Sequence, residues 1–307
     1  MNNLTVSNFS YCDKCIIKKT TKQSKKVYDG KIIGETIINA ILTKYGFLTL
    51  KLVRKCLEYG GHKKISAAKT LKSMQYQGLI DKYTIYYPED MERNNIDVYI
   101  LTGEMLEECR RKRLYDFKMT NIPYILEMLT LAQWHISMLM KCKAKEEMYN
   151  VTFETDLGYV LTMPSLVKLR TSISSTIHIC SMPVTKAMDK KELGKFLIRI
   201  SQISKYMDSK RKYSSFVICL ICESQQQIEE TSKLLYALNQ TRNLFVIYSI
   251  DAITSDLDIN PMSMIYDSRH MEGVTFTQLI KLQKDKTLIT DDTDNQLKLL
   301  TRKAVHK

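Results

Sequence analysis

Two pairs of cysteines stand at CxxC spacing, Cys12/Cys15 and Cys219/Cys222. Cysteines three apart can supply half of a tetrahedral zinc site, but a closed site needs four converging ligands. The second pair lies inside SFVICLIC, which reads as a buried strand, so packing is the simpler account and no metal is expected. The eight cysteines are dispersed along the chain, as reduced thiols of a cytosolic protein are. His135 stands alone on an amphipathic helical stretch and His178 alternates with Ile177 and Ile179, so both read as packed or interfacial groups. Glu154, Asp156, Asp189 and Glu192 are near in sequence and could form a carboxylate set, although acids at element ends are usually solvated. None of the 18 tyrosines stands beside a His or acidic metal cluster, so no nucleophile, catalytic residue or cofactor is named.

Charge is more informative. The formal net charge is +13, and a surplus of Lys and Arg favours phosphate backbones over neutral substrates. Through Met119 there are 22 Lys and Arg against 13 Asp and Glu, so most of the excess belongs to the first third. No stretch approaches the roughly 20 apolar residues of a membrane span, and the start MNNLTVSNFS has no basic-then-apolar layout, which predicts a cytoplasmic protein away from membranes.

The elements that would carry this charge follow from periodicity. Residues 1–30 are polar and lysine-rich and read as a flexible basic arm. Ile32, Ile33, Thr36, Ile37, Ala40 and Ile41 recur at helical spacing up to Gly46, a residue suited to a left-handed C-terminal position. Thr49 caps a short second helix that stops at Gly60-Gly61. A third helix from about Lys64 to Tyr76 places Ala67, Ala68, Leu71 and Met74 inward and Ser66, Lys69, Thr70, Ser73 and Gln77 outward. LIDKYTIYY and IDVYIL form a hairpin around PEDMERNN, and Thr102 then caps a helix carrying Arg110, Arg111, Lys112 and Arg113.

Three helices, a hairpin and a further helix are the order of a winged helix-turn-helix, whose third helix enters the major groove. Ser66, Lys69, Thr70, Ser73 and Gln77 are the expected base readers; Lys63, Lys64 and Lys72 suit phosphate contact. In the wing, Arg93 and Asn94, with Asn95, face the duplex, though Glu89, Asp90 and Glu92 weaken that expectation. The second half opens with a helix through Ile122, Ile125, Leu126, Leu129, Ile136, Leu139 and Met140. It continues with strands in YNVTFET, GYVLTMPSLVKLR and SSTIHICSM, a helix through Leu193 to Met207, the apolar strand SFVICLICE, a helix through Ile228 to Leu238, and the strand LFVIYSI. This is an α/β arrangement with helices covering a mixed sheet, ending in a charged tail.

FLTLKLVRKCL, KTLKSMQYQGLIDKY, YILTGE, LAQWH, MPSLVKLR and TIHICSM, in that order, make the chain resemble the replication-relaxation family of plasmid and mobile-element proteins over roughly residues 35–255. The resemblance implies a restriction-endonuclease-like second domain, in which a Pro-Asp on one strand and acids on the next bind a divalent metal. Here Pro164 is followed by Ser165, and Cys180 and Met182 fall where the second acid and its partner would be. A hydroxyl, a thiol and a thioether do not replace the anionic oxygens that magnesium takes. The resulting expectation is a basic arm (1–30), a winged helix-turn-helix (31–118), a nuclease-like α/β domain without its metal acids (119–283) and a tail (284–307). The chain would bind double-stranded DNA as an accessory or regulatory protein of a plasmid or mobile element. A homodimer, or replication or transfer proteins, could be further partners; an active nickase with a rearranged site and a pure protein-interaction module are the alternatives.

Overall fold

A computed structural model describes residues 9–20, 34–91, 93–103, 106–107, 121–170, 176–184, 190–210, 216–224, 226–231, 246–250, 265–267 and 272–274. The expectations for Arg110 to Arg113, for Glu92, for Asp189 and for the tail lie outside these residues.

The N-terminal elements form where local chemistry places them. Helix α1 (Glu35–Tyr45) ends at Gly46, whose φ of 76° is open to glycine at little cost. Helix α2 (Leu50–Tyr59) begins at Thr49, whose Oγ1 accepts from the Leu52 amide at 3.3 Å. Gly61 takes φ 78° in the turn that leads to α3 (Ala67–Tyr76). Strands β2 (Ile80–Tyr86) and β3 (Ile96–Leu101) pair antiparallel, and Leu48, between α1 and α2, makes an isolated bridge to Tyr99.

Part of the expected arm is built into this unit. Strand β1 (Ile16–Lys19) pairs antiparallel with β2, giving a three-stranded sheet in the order β1-β2-β3, and Phe9 and Cys15 are buried in the core. Polar composition outweighed the two consecutive isoleucines, Ile16 and Ile17, which suit an edge strand. Lys19 pairs with Asp81 at 2.5 Å, so lysines of this segment complement the sheet they join.

Helix α4 (Ile122–Lys141) is capped by Asn121, whose Oδ1 accepts from the Tyr124 amide. Then come β4 (Lys145–Glu154), β5 (Val160–Arg170), β6 (Thr176–Pro183), α5 (Lys190–Ser209), β7 (Phe216–Cys222), β8 (Val246–Ile250), β9 (Ile265–Asp267) and β10 (Glu272–Val274). The sheet order is β10-β9-β8-β7-β6-β5-β4; β6, β7 and β8 run parallel and the other neighbours antiparallel. The mixed sheet was expected; β9 and β10 were not, because strands of three residues carry too little periodicity to read.

Alternation in β7 divides the two cores. Val217, Cys219 and Ile221 join a core shared with α4 and the N-terminal helices, while Ile218, Leu220 and Cys222 join a second core against Ile200, Ile203 and Met207 of α5. Cys219 and Cys222 therefore point to opposite faces of one strand and cannot share a metal. Helix α4 is not amphipathic in its setting: every residue from Met128 to Leu139 is buried. It lies between the sheet and the N-terminal helices, so its second face, expected to meet solvent, instead carries the packing that joins the two halves.

Candidate functional site

Between Glu58 and Asp81 the sequence holds Lys63, Lys64, Lys69 and Lys72 and no acid. The structure exposes all four, together with Ser66 and Ala68, along the start and outer face of α3. The Ser66 hydroxyl makes no capping bond, leaving the first turn of α3 with amide donors for an incoming acceptor. Lys63 pairs with Glu58 at 3.3 Å, and Lys72 lies over the Tyr76 ring at 5.8 Å.

Three of the expected base readers are placed differently. Thr70 and Ser73 are buried, at 1% and 2% exposure, and Ala68, expected in the core, is outside. Ser73 and Gln77 share one partner, Glu35, itself buried at the first turn of α1: its Oε1 accepts from Ser73 Oγ at 3.2 Å and from Gln77 Nε2 at 2.6 Å. Gln77 also donates to Ser73 Oγ at 3.0 Å, so its amide is engaged within the fold. A helical wheel divides polar from apolar, and here a buried carboxylate turns the polar residues inward. The clasp fixes α3 on α1. Replacing Ser73 with alanine should lower the unfolding free energy by about 1–3 kcal/mol, since it strips a donor from a buried carboxylate. Chemical denaturation reads this directly, and a change within experimental error would contradict the clasp.

The hairpin tip is also rearranged. Arg93 folds over the Tyr87 ring at 5.5 Å, toward the Ser10 carbonyl, rather than extending outward. Asn94 is exposed, while the Asn95 carboxamide accepts from the Tyr87 amide at 3.3 Å.

A second polar constellation lies at the junction of the halves. His135, fully buried on α4, has Nε2 2.8 Å from Glu146 Oε2 of β4 and Nδ1 2.8 Å from Ser165 Oγ of β5. Lys44 of α1 pairs with the same carboxylate oxygen. Next to it, Trp134 Nε1 donates to Ser181 Oγ at 2.6 Å, and the Tyr149 ring packs 4.7 Å from both His135 and Tyr45. Burial lowers the His135 pKa despite the carboxylate beside it. Burial acts to raise the Glu146 pKa, but the hydrogen bonds from His135 and Lys44 prevail and bring it to about 2. An ionised carboxylate only accepts, so Nε2 carries the proton, and Nδ1 of the neutral ring accepts from Ser165. The residue types are those of a hydrolytic triad, but Ser165 and His135 are both wholly enclosed, and no substrate carbonyl can meet the hydroxyl.

This constellation predicts acid lability. Below the ordinary imidazole value of 6.5 the unfolded chain takes up a proton that folded His135 resists, so stability falls as pH drops through that value. Glu146 acts in the same direction: its contribution is complete above its ordinary value of 4.5 and is lost as pH falls toward about 2. Urea midpoints should decline from pH 7.5 to pH 5; midpoints that rise over this range would refute the assignment.

The positions implied by the nuclease resemblance do not converge. Ser165 turns toward α4, whereas Cys180 and Met182 belong to the core on the other face, with Cys180 Sγ 3.4 Å from Met163 Sδ. Burial pushes the Cys180 thiol up to about 12. Glu154 and Asp156 are exposed at the β4–β5 hairpin, where Asp156 pairs with Lys210. Among the described residues no three His, Cys, Asp or Glu side chains are grouped to hold a metal ion.

The fold and these sites define a mixed α+β protein with one antiparallel and one mixed sheet. No family model and no curated protein matches the chain, so neither comparison supports the replication-relaxation family. Among solved structures it is similar to the restriction endonuclease FokI at 11% identity and a TM-score of 0.27. That match covers 80% of this chain and 46% of the FokI chain, so this chain spans under half the length of its neighbour. A similarity this slight carries no functional argument. Among the described residues no helix is long and apolar enough to cross a membrane.

Proposed function

We propose that this chain binds duplex DNA through a winged helix formed by α1, α2, α3 and the β2–β3 hairpin, with α3 in the major groove. The observation that carries this reading is the acid-free, exposed face of Lys64, Ser66, Lys69 and Lys72 on a helix clasped by Glu35. A groove-binding helix must be both cationic and rigid, because flexible contacts give up affinity to ordering. The Leu48–Tyr99 bridge supports the same topology, since it ties the α1–α2 connection to the hairpin. On this reading Ser66 and Lys69 reach base edges, Lys63, Lys64 and Lys72 meet phosphates, Asn94 lies at the wing tip, and Arg93 stabilises the base of the wing.

A role as an accessory or regulatory protein of a plasmid or other mobile element rests on the sequence resemblance alone. Titration of the intact chain with duplex fragments over a range of salt tests the DNA reading. It requires log K to fall linearly with log salt; affinity independent of salt would overturn it and favour a protein-interaction module.

A further inference from the structure

We infer that the cleft between α1 and β4 is a binding site for an uncharged ligand of nucleobase or nucleoside size. The cleft encloses about 490 Å³ and is lined by Thr36, Asn39, Ala40, Thr43, Lys44, Tyr149 and Asn150. That volume falls within the range of small-molecule sites. Five of the seven lining residues offer neutral hydrogen-bonding groups, and the apolar part of the lining is large enough to receive a flat heterocycle.

Two groups here have no partner among the described residues. Asn39 Oδ1 and the Tyr149 hydroxyl are both shielded from solvent without a hydrogen bond, and the Tyr149 side chain is only 6% exposed. A buried polar atom left unsatisfied costs about 1–3 kcal/mol, so two along one cleft call for an outside partner. The Asn39 carboxamide presents an acceptor beside a donor, the pattern with which asparagine reads the donor–acceptor edge of adenine.

The charge of the cleft sets the ligand class. Lys44 is the one cation among the described lining residues, and Glu146 pairs with it. The neighbouring His135 is neutral, because burial lowers its pKa. A phosphate or carboxylate would gain little net attraction there, because the Lys44 charge is already paired with Glu146. A heterocycle with adjacent donor and acceptor satisfies Asn39 and Tyr149 without an added charge. The cleft shares no lining residue with α3 and stands apart from the DNA reading.

Calorimetric titration of the intact chain with adenosine, guanosine, cytidine and uridine, and with their 5′-monophosphates, tests it. At least one nucleoside should bind saturably, with its monophosphate no tighter. Tyr149→Phe and Asn39→Ala should each weaken that binding by roughly tenfold, the loss of about one hydrogen bond to an uncharged partner. In the unliganded protein, Tyr149→Phe should leave the urea midpoint unchanged or raised, since it deletes a hydroxyl that bonds to nothing. Saturation by none of the nucleosides at millimolar concentration, or a monophosphate that binds ten times more tightly than its nucleoside, would overturn the assignment.

Discussion

Replacing Lys64, Lys69 and Lys72 together with alanine should reduce affinity for duplex DNA by roughly 100-fold at about 0.15 M salt. Each lysine that neutralises a phosphate releases about 0.9 of a counterion, so losing the two phosphate contacts of Lys64 and Lys72 also lowers the magnitude of the salt slope by about 1.8. Both changes follow from one cause, and the slope is the more discriminating, because a misfolded variant loses amplitude instead. The fold should survive. All three side chains are exposed, and exposed substitutions away from special features usually change stability by under about 0.5 kcal/mol. Lys63 also meets phosphate, but it must first exchange its ion pair with Glu58, so its removal alone should have a smaller effect than that of Lys64 or Lys72. Unchanged affinity and slope in the triple variant would remove α3 from any DNA interface.

Replacing His135 with alanine should lower the unfolding free energy by about 2–4 kcal/mol, a large part of the 5–15 kcal/mol typical of a folded domain. The loss has two sources. The smaller side chain leaves space beside Tyr45 and Tyr149, Ser165 loses its partner where water does not reach, and the half-buried Glu146 loses one of its two donors. Ser165→Ala, which removes one hydroxyl and leaves the His135–Glu146 bond, should cost about 1 kcal/mol. Lys44 binds the same carboxylate oxygen, so a double-mutant cycle between Lys44 and His135 should show coupling above about 0.5 kcal/mol. Additive single effects, or a His135→Ala variant of normal stability, would show that the four groups do not act together.

Lys44 on α1, Glu146 on β4, His135 on α4 and Ser165 on β5 link the three-helix unit to the mixed sheet through one chain of contacts. The shared core around α4 makes the same connection with apolar groups. Movement of α1 against β4 therefore disturbs both the half-buried Lys44–Glu146 ion pair and the walls of the cleft between them, and it does so at the helix that holds Glu35 against α3.

Much of the local structure was legible in the sequence. Gly46, Thr49 and the Gly60-Gly61 turn mark helix ends through conformational and capping preferences that act within a few residues. The alternation in GYVLTMPSLVKLR and the unbroken apolar run SFVICLICE announced strands for the same reason: side-chain periodicity follows from strand geometry before any partner is met. The concentration of cations near α3 could also be counted directly.

What the sequence left open was settled by contacts between distant residues. Ser73 faces inward to bond with Glu35, nearly forty positions away, and no helical wheel includes another helix. His135 reads in the sequence as a packed or interfacial group without named partners; these lie 11 and 30 residues away, and Lys44 is 102 positions from Glu146. Residues Phe9 to Lys19 looked like arm because edge-strand order is conferred by β2. Periodicity and capping are properties of a few neighbouring residues, so one chain displays them openly. Partnership among buried polar groups depends on which elements pack together, and that is decided only when the whole chain closes on α4.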